Sequence, residues 1–185
     1  IAEQISKNIT GTMGLPSQSS STEGDPEIAK LSPDLAALVG LKTVKERILE
    51  LMYFIQIEKE RNKDKESKSP NLHMIFSGNP GTGKTSVARI IGKIFKHIGL
   101  LKKGHVHEVK VNDLTSRYVG DTTKEALRQF NLALDGVLFI DEAYQLVNDK
   151  VISYRSEVVD VLLTFMVDNS DRVAVIAAGY PEKMN

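Results

Sequence analysis

Gly78-Asn79-Pro80-Gly81-Thr82-Gly83-Lys84-Thr85 is the stretch that decides the fold. It fills the pattern G-x-x-x-x-G-K-[ST], and its flanks supply the context that pattern needs. The apolar run Leu72–Ser77 before it reads as a strand. Thr85–Ile98 after it reads as a helix with Val87, Ile90, Ile91, Ile94 and Phe95 on one side. Each residue type has a physical reason. Glycines reach backbone angles closed to other residues, so successive N–H groups can turn inward toward phosphate oxygens. The helix adds the positive end of its dipole. Lys84 supplies a charge for β- and γ-phosphates, and the Thr85 hydroxyl can ligate Mg²⁺. Asn79, Pro80, Gly81, Thr82, Gly83 and Ser86 complete the predicted nucleotide contact.

Outward from the loop, strands and helices alternate. Leu41, Val44, Ile48, Leu51, Met52 and Ile55 recur at helical spacing, so Thr43 to about Lys65 reads as an amphipathic helix. The charges over Glu58–Glu66 alternate in sign, which suits a solvated helix end, and Ser69-Pro70 stops it. Val106–Val111, Val137–Ile140 and Val173–Ala178 read as further strands, Thr122–Leu134 and about Ser156–Val167 as further helices. Alternation with near-continuous apolar strands predicts an α/β fold with a parallel sheet covered on both faces. Together with the loop this arrangement resembles the three-layer αβα sandwich of P-loop NTPases, which is the fold expected.

Val137-Leu138-Phe139-Ile140 runs straight into Asp141-Glu142. An apolar strand ending in acids places them at the carboxyl edge of a parallel sheet, where ligands bind. Asp141 there can hold Mg²⁺, directly or through its water. Glu142 stands where a carboxylate can orient and deprotonate an attacking water. Loop and acid pair together are both halves of a nucleotide hydrolase.

Composition removes other classes. The chain has 185 residues with 24 basic and 24 acidic side chains and no Cys. No disulfide or Cys-based zinc site is possible. Zero net charge and the lack of a basic stripe argue against a nucleic-acid partner. The longest apolar runs, such as Val173–Ala178, are too short to span a bilayer, and Ile1–Thr10 lacks the apolar core of a signal peptide. The expectation is a soluble, cytoplasmic protein without a membrane partner. Residues 1–31 are expected to be a flexible leader or linker ahead of a core over 32–185. Gly11–Pro26 collects Gly, Pro, Ser and Thr, and residues 1–34 hold two basic against five acidic side chains. A partner-binding tail is the other reading. His105 and His107 share a face if both lie on a strand, but no third metal ligand stands near them; His73 reads as a packed neutral histidine.

Gly78–Arg89 and Phe139-Ile140-Asp141-Glu142-Ala143-Tyr144 resemble the AAA+ ATPases. The Asn-Pro in the loop and the Asp-Glu-Ala-Tyr run point to the CbxX/CfqX branch, which holds the stage V sporulation protein K type and the red-type Rubisco activases. Leu38-Val-Gly-Leu41 with Val44-Lys45, Lys103-Gly-His105 and Tyr118-Val-Gly-Asp-Thr122 support it. The resemblance covers about Leu35–Pro181.

It implies roles by position. Val39 and Gly40 match the segment beside adenine. Tyr118-Val119-Gly120 matches the aromatic pore loop that grips a polypeptide in AAA+ hexamers; a tyrosine packed under its own loop is the alternative. The polar residue, commonly Asn, at the end of the fourth strand is absent: Ala177-Ala178-Gly179-Tyr180 stands there, so Tyr180 or a nearby group has to substitute. In relatives the fifth strand, the arginine finger, the second sensor and the helical lid lie beyond the position of Asn185, so the chain is expected to be an AAA+ large subdomain cut before them. Arg155 and Arg172 are not promoted to the finger. The implied function is Mg²⁺-dependent ATP binding and hydrolysis driving remodelling of a protein client by a homo-hexamer. The alternative is a nucleotide-gated scaffold module with little or no hydrolysis.

Overall fold

The structure is a computed structural model that describes Pro33 and residues 42–61, 71–115, 121–147 and 152–184. The leader expected over 1–31, the adenine segment Val39–Gly40 and the loop Tyr118-Val119-Gly120 lie outside the described residues.

Helix α1 spans Lys42–Arg61, strand β1 Met74–Ser77, helix α2 Lys84–His97 and strand β2 Val106–Lys110. Helix α3 follows at Thr122–Leu132, then β3 at Val137–Asp141, α4 at Ile152–Asp168 and β4 at Ala174–Gly179. All pairings are parallel and the sheet order is β1-β4-β3-β2. Their carboxyl ends therefore share one edge, with β4 between the strand that feeds the glycine loop and the strand that ends in acids.

The apolar strands alternate between two cores, as a pleat requires. Val137 and Phe139 of β3, with Ala174, Ile176 and Ala178 of β4, face α1 and α2 through Ile48, Met52, Ile55, Val87, Ile91 and Phe95. Leu138 and Ile140, with Val173 and Val175, face α3 and α4 through Ala126, Phe130, Val158, Leu162 and Phe165. Phe130 and Phe165 meet tilted at 40° with centroids 5.4 Å apart. This is the expected three-layer αβα sandwich, and the unbroken apolar run of β3 reflects burial on both faces.

Two element boundaries differ from the expectation, one of them through a local side-chain hydrogen bond. The expected strand over Val106–Val111 stops at Lys110, whose N–H donates to Asp113 Oδ2 at 2.9 Å. Val111–Leu114 turns instead into a 3₁₀ segment that buries Val111 and Leu114. Helix α4 begins at Ile152 rather than about Ser156. His73 lies one residue before β1, and its Nδ1 accepts the Val175 N–H at 3.1 Å. Burial lowers its pKa, opposed by its bond to the Met166 carbonyl, which favours the neutral ring expected of it. His105 lies just ahead of β2 rather than on it. The two rings face α3: His105 Nε2 donates to the Leu132 carbonyl and His107 Nε2 to Gln129 Oε1, each at 2.8 Å.

Two contacts at the opposite edge fix the layers. Gly92 of α2 lies against Gly104, whose φ of 66° is left-handed; a Cβ on either would run into the other's carbonyl oxygen. Asp135, also left-handed at φ 68°, takes both arms of Arg172 at 3.1 and 3.2 Å and accepts the N–H groups of Lys103 and Gly104 on its carbonyl. That ion pair joins the approach to β3 to the approach to β4.

Candidate functional site

The glycine loop leaves β1 at Ser77 and enters α2 at Lys84. Gly81 and Gly83 have φ of 74° and 82°, the left-handed values that glycine tolerates best. A Cβ at either would meet nothing within 4 Å, so these glycines are required by backbone angle and the space beside them is open. Gly83 is the N-cap of α2 and has no side chain to cap it. Its carbonyl takes the Val87 N–H at 2.9 Å, which leaves the N–H groups of the first turn outside the helical ladder. An uncapped helix N-terminus beside open space is an anion site in both geometry and sign.

The loop closes on itself through its polar groups. Lys84 Nζ donates to the carbonyls of Gly78 at 2.8 Å and Asn79 at 3.0 Å. Thr82 Oγ1 donates to the Asn79 carbonyl at 2.8 Å. Lys84 and Thr85 are half-buried, while Asn79, Pro80, Gly81, Thr82 and Ser86 are exposed.

Across the edge, Asp141 is the last residue of β3 and Glu142 the next. Asp141 Oδ1 accepts the Glu142 N–H at 3.0 Å, and Glu142 has a φ of 53°, which a residue with a Cβ seldom adopts. A hydroxyl from Thr85 and a carboxylate from Asp141 are the hard oxygen donors that Mg²⁺ takes, so these residues fit that ion.

The end of β4 joins the two halves. The Gly179 carbonyl accepts the Gly78 N–H at 3.1 Å. Tyr180 Oη donates to Glu142 Oε1 at 3.0 Å, and Gln145 Nε2 donates to Glu142 Oε2. The Tyr180 ring meets Tyr144 at 5.6 Å between centroids, with the ammonium groups of Lys183 and Lys84 at 5.4 and 5.9 Å from its own. The hydrogen bond to Glu142, then burial, raises the Tyr180 pKa further above neutrality, where a phenol already keeps its proton.

The sequence places Asn79–Ser86, Asp141 and Glu142 in the site and offers Tyr180 or a nearby group as the substitute at the strand end; it does not assign Gly179, Tyr144, Gln145 or Lys183 to it. Arg155, set aside as a finger, donates from Nη1 to the Gln145 carbonyl at 2.8 Å within its own chain. The available signal was the 3-residue offset from Glu142 to Gln145, which one turn of helix brings together.

A parallel sheet flanked by helices, with a glycine loop opening onto a helix N-terminus and acids at the end of a neighbouring strand, defines a P-loop α/β protein. Residues 74–184 match the family model described as "ATPase family associated with various cellular activities (AAA)", and the chain belongs to that family.

Its curated relatives include the chloroplastic ribulose bisphosphate carboxylase/oxygenase activase of Cyanidioschyzon merolae, 42% identical over 80% of this chain and 51% of that protein. Protein CbbX of Cereibacter sphaeroides is 43% identical over 80% of this chain and 48% of its own length. Stage V sporulation protein K of Bacillus subtilis is 38% identical over 85% and 49%. These are the branch that the loop and the Asp-Glu-Ala-Tyr run resemble, and the chain spans about half the length of these relatives. A crystal structure of the FIGL-1 AAA domain in complex with ADP matches with a TM-score of 0.56 over 92% of this chain and 59% of that one. At 22% identity that likeness speaks for the fold.

Proposed function

We propose that this chain is the nucleotide-binding core of an ATPase that remodels a protein client. The observation that carries it is the joining of two sets of groups at one sheet edge. The open glycine loop and the Asp141–Glu142 pair are tied together there through Gly179 and Tyr180. Loop amides of Asn79–Gly83 and the first turn of α2, at Lys84, Thr85 and Ser86, take the phosphates. Lys84 exchanges its bonds with the Gly78 and Asn79 carbonyls for phosphate oxygens. Val39 and Gly40 lie beside the adenine. Thr85 and Asp141 hold Mg²⁺, which supplies positive charge against the phosphates when bound. Glu142 takes the proton of the attacking water.

The relatives' names include an activase of a carboxylase, which supports action on a protein client. Finer proposals extend this reading. The full-length protein assembles as a homo-hexamer in the cytoplasm, a neighbour's arginine completes the site, and Tyr118-Val119-Gly120 grips the client in the pore. Among the described residues no helix is long and apolar enough to cross a membrane.

A second reading keeps the binding and drops the turnover, as a nucleotide-gated scaffold. Its support is that both Glu142 carboxylate oxygens are already engaged by donors of this chain. Phosphate release by the full-length protein separates the two readings.

The binding half is tested by Lys84→Ala. Removing the ammonium leaves the phosphate charge uncompensated, so calorimetry should show ATP affinity reduced about a hundredfold or more, on the order of two charge-assisted hydrogen bonds. Unaltered affinity would remove the loop from the nucleotide site.

A further inference from the structure

Glu142 is clamped from two sides. Tyr180, just past β4, donates to Oε1 at 3.0 Å, and Gln145, in the 3₁₀ segment Ala143–Val147, donates to Oε2. The Gln145 N–H returns to the Glu142 carbonyl at 2.9 Å. Arg155 on α4 holds the Gln145 carbonyl at 2.8 Å. A polar chain thus runs from α4 through Gln145 and Glu142 to the end of β4.

One donor on a carboxylate lets it pivot about that bond. Donors on opposite oxygens fix the plane of the group, and a carboxylate with about four lone-pair positions still has places left for a water proton. The left-handed backbone of Glu142 points the same way, because such a conformation persists where surrounding contacts determine it. The Tyr180 ring meets Tyr144, two residues after Glu142, at 5.6 Å, and its backbone continues directly from the end of β4. Its hydroxyl is therefore delivered from the end of a sheet strand.

We propose that Tyr180, paired with Gln145, is a positioning residue for Glu142, aiming the carboxylate at the attacking water, with Arg155 setting Gln145. The proposal rests on the reading of Glu142 as the base. It gives the fourth-strand tyrosine a role through Glu142 rather than through the phosphate. The charged and titratable groups facing the hydroxyl and ring are Glu142 and Asp141 at the end of β3, Tyr144 in the next segment, Lys84 at the start of α2, and Lys183 in its own turn. A phenol is protonated at neutral pH, which is the state that can donate.

The test is Tyr180→Phe in the full-length protein, because phenylalanine keeps the ring and its packing and deletes only the donor. Steady-state ATP hydrolysis should lose about tenfold or more in kcat, a share of the 10²–10⁴ a positioned base contributes, while KM for ATP stays within about twofold. Combining it with Glu142→Gln should add no further loss to the residual rate, since a positioning residue has nothing left to position. A kcat for Tyr180→Phe within about twofold of the parent or above it, or a second full loss in the double variant, overturns the proposal. Glu142→Gln alone separates the two levels. Wild-type turnover there overturns the reading of the base, whereas lost turnover with an unaffected Tyr180→Phe overturns the clamp alone.

Discussion

The Gly179 carbonyl accepts the Gly78 N–H at 3.1 Å, so the head of the glycine loop is bonded to the end of β4. One residue later Tyr180 reaches the other way, to Glu142. A single strand end therefore sets the separation between the glycine loop and the Asp141–Glu142 pair. The sheet order makes this possible, because β4 lies between β1 and β3. A shift of β4 along its axis would move both halves at once.

Gly92→Ala should destabilise the fold. Alanine in a helix interior is favoured over glycine by about 1 kcal/mol. Against this, the new Cβ would run into the carbonyl oxygen of Gly104, which is backbone and has no rotamer to escape by. Overpacking of that kind costs about 1–3 kcal/mol, so the net expectation is a loss of about 1 kcal/mol. Urea unfolding followed by far-ultraviolet circular dichroism reads it as a lower midpoint with an unchanged slope. A midpoint equal to or above the parent's would show that α2 can draw away from the Gly104 turn at no cost.

Asp135→Asn should remove part of the acid sensitivity of the protein. The Arg172 guanidinium, bonded to both carboxylate oxygens, holds the Asp135 pKa below the ordinary value. A carboxyl with a folded pKa below its unfolded one contributes stability above the unfolded value, near 3.9, and loses it as pH falls through the folded value. Asparagine tolerates the left-handed backbone of this position, so the substitution tests the charge. Parent and variant should differ most in melting temperature near pH 7, with the gap closing toward pH 3. A gap of constant size across that range would assign the effect to packing.

The loop was legible because its chemistry is local: glycines, a lysine and a threonine at fixed offsets, with a strand before and a helix after. The layers were legible from Phe139 and Leu138, since an unbroken apolar strand has to be covered on both faces. Strand β2 was read one residue too long because Val111 is apolar, while the Asp113 side chain bends the backbone at Lys110. The clamp on Glu142 was hidden for another reason. Tyr180 and Glu142 are 38 residues apart and meet only because β4 inserts beside β3, an order no short-range pattern encodes. The resemblance points to Tyr180 as a substitute for the polar residue expected at that strand end, but its partner is visible only in the sheet.

Whether Glu142 serves as the base of a hydrolytic nucleotide site is decided by Glu142→Gln in the full-length protein. Glutamine keeps the size and most of the polarity of the side chain while losing the basic carboxylate. If Glu142 is the base, ATP affinity by calorimetry should stay within about threefold of the parent while phosphate release falls about a hundredfold or more. Phosphate release at the parental rate, with ATP bound as tightly as before, would contradict it.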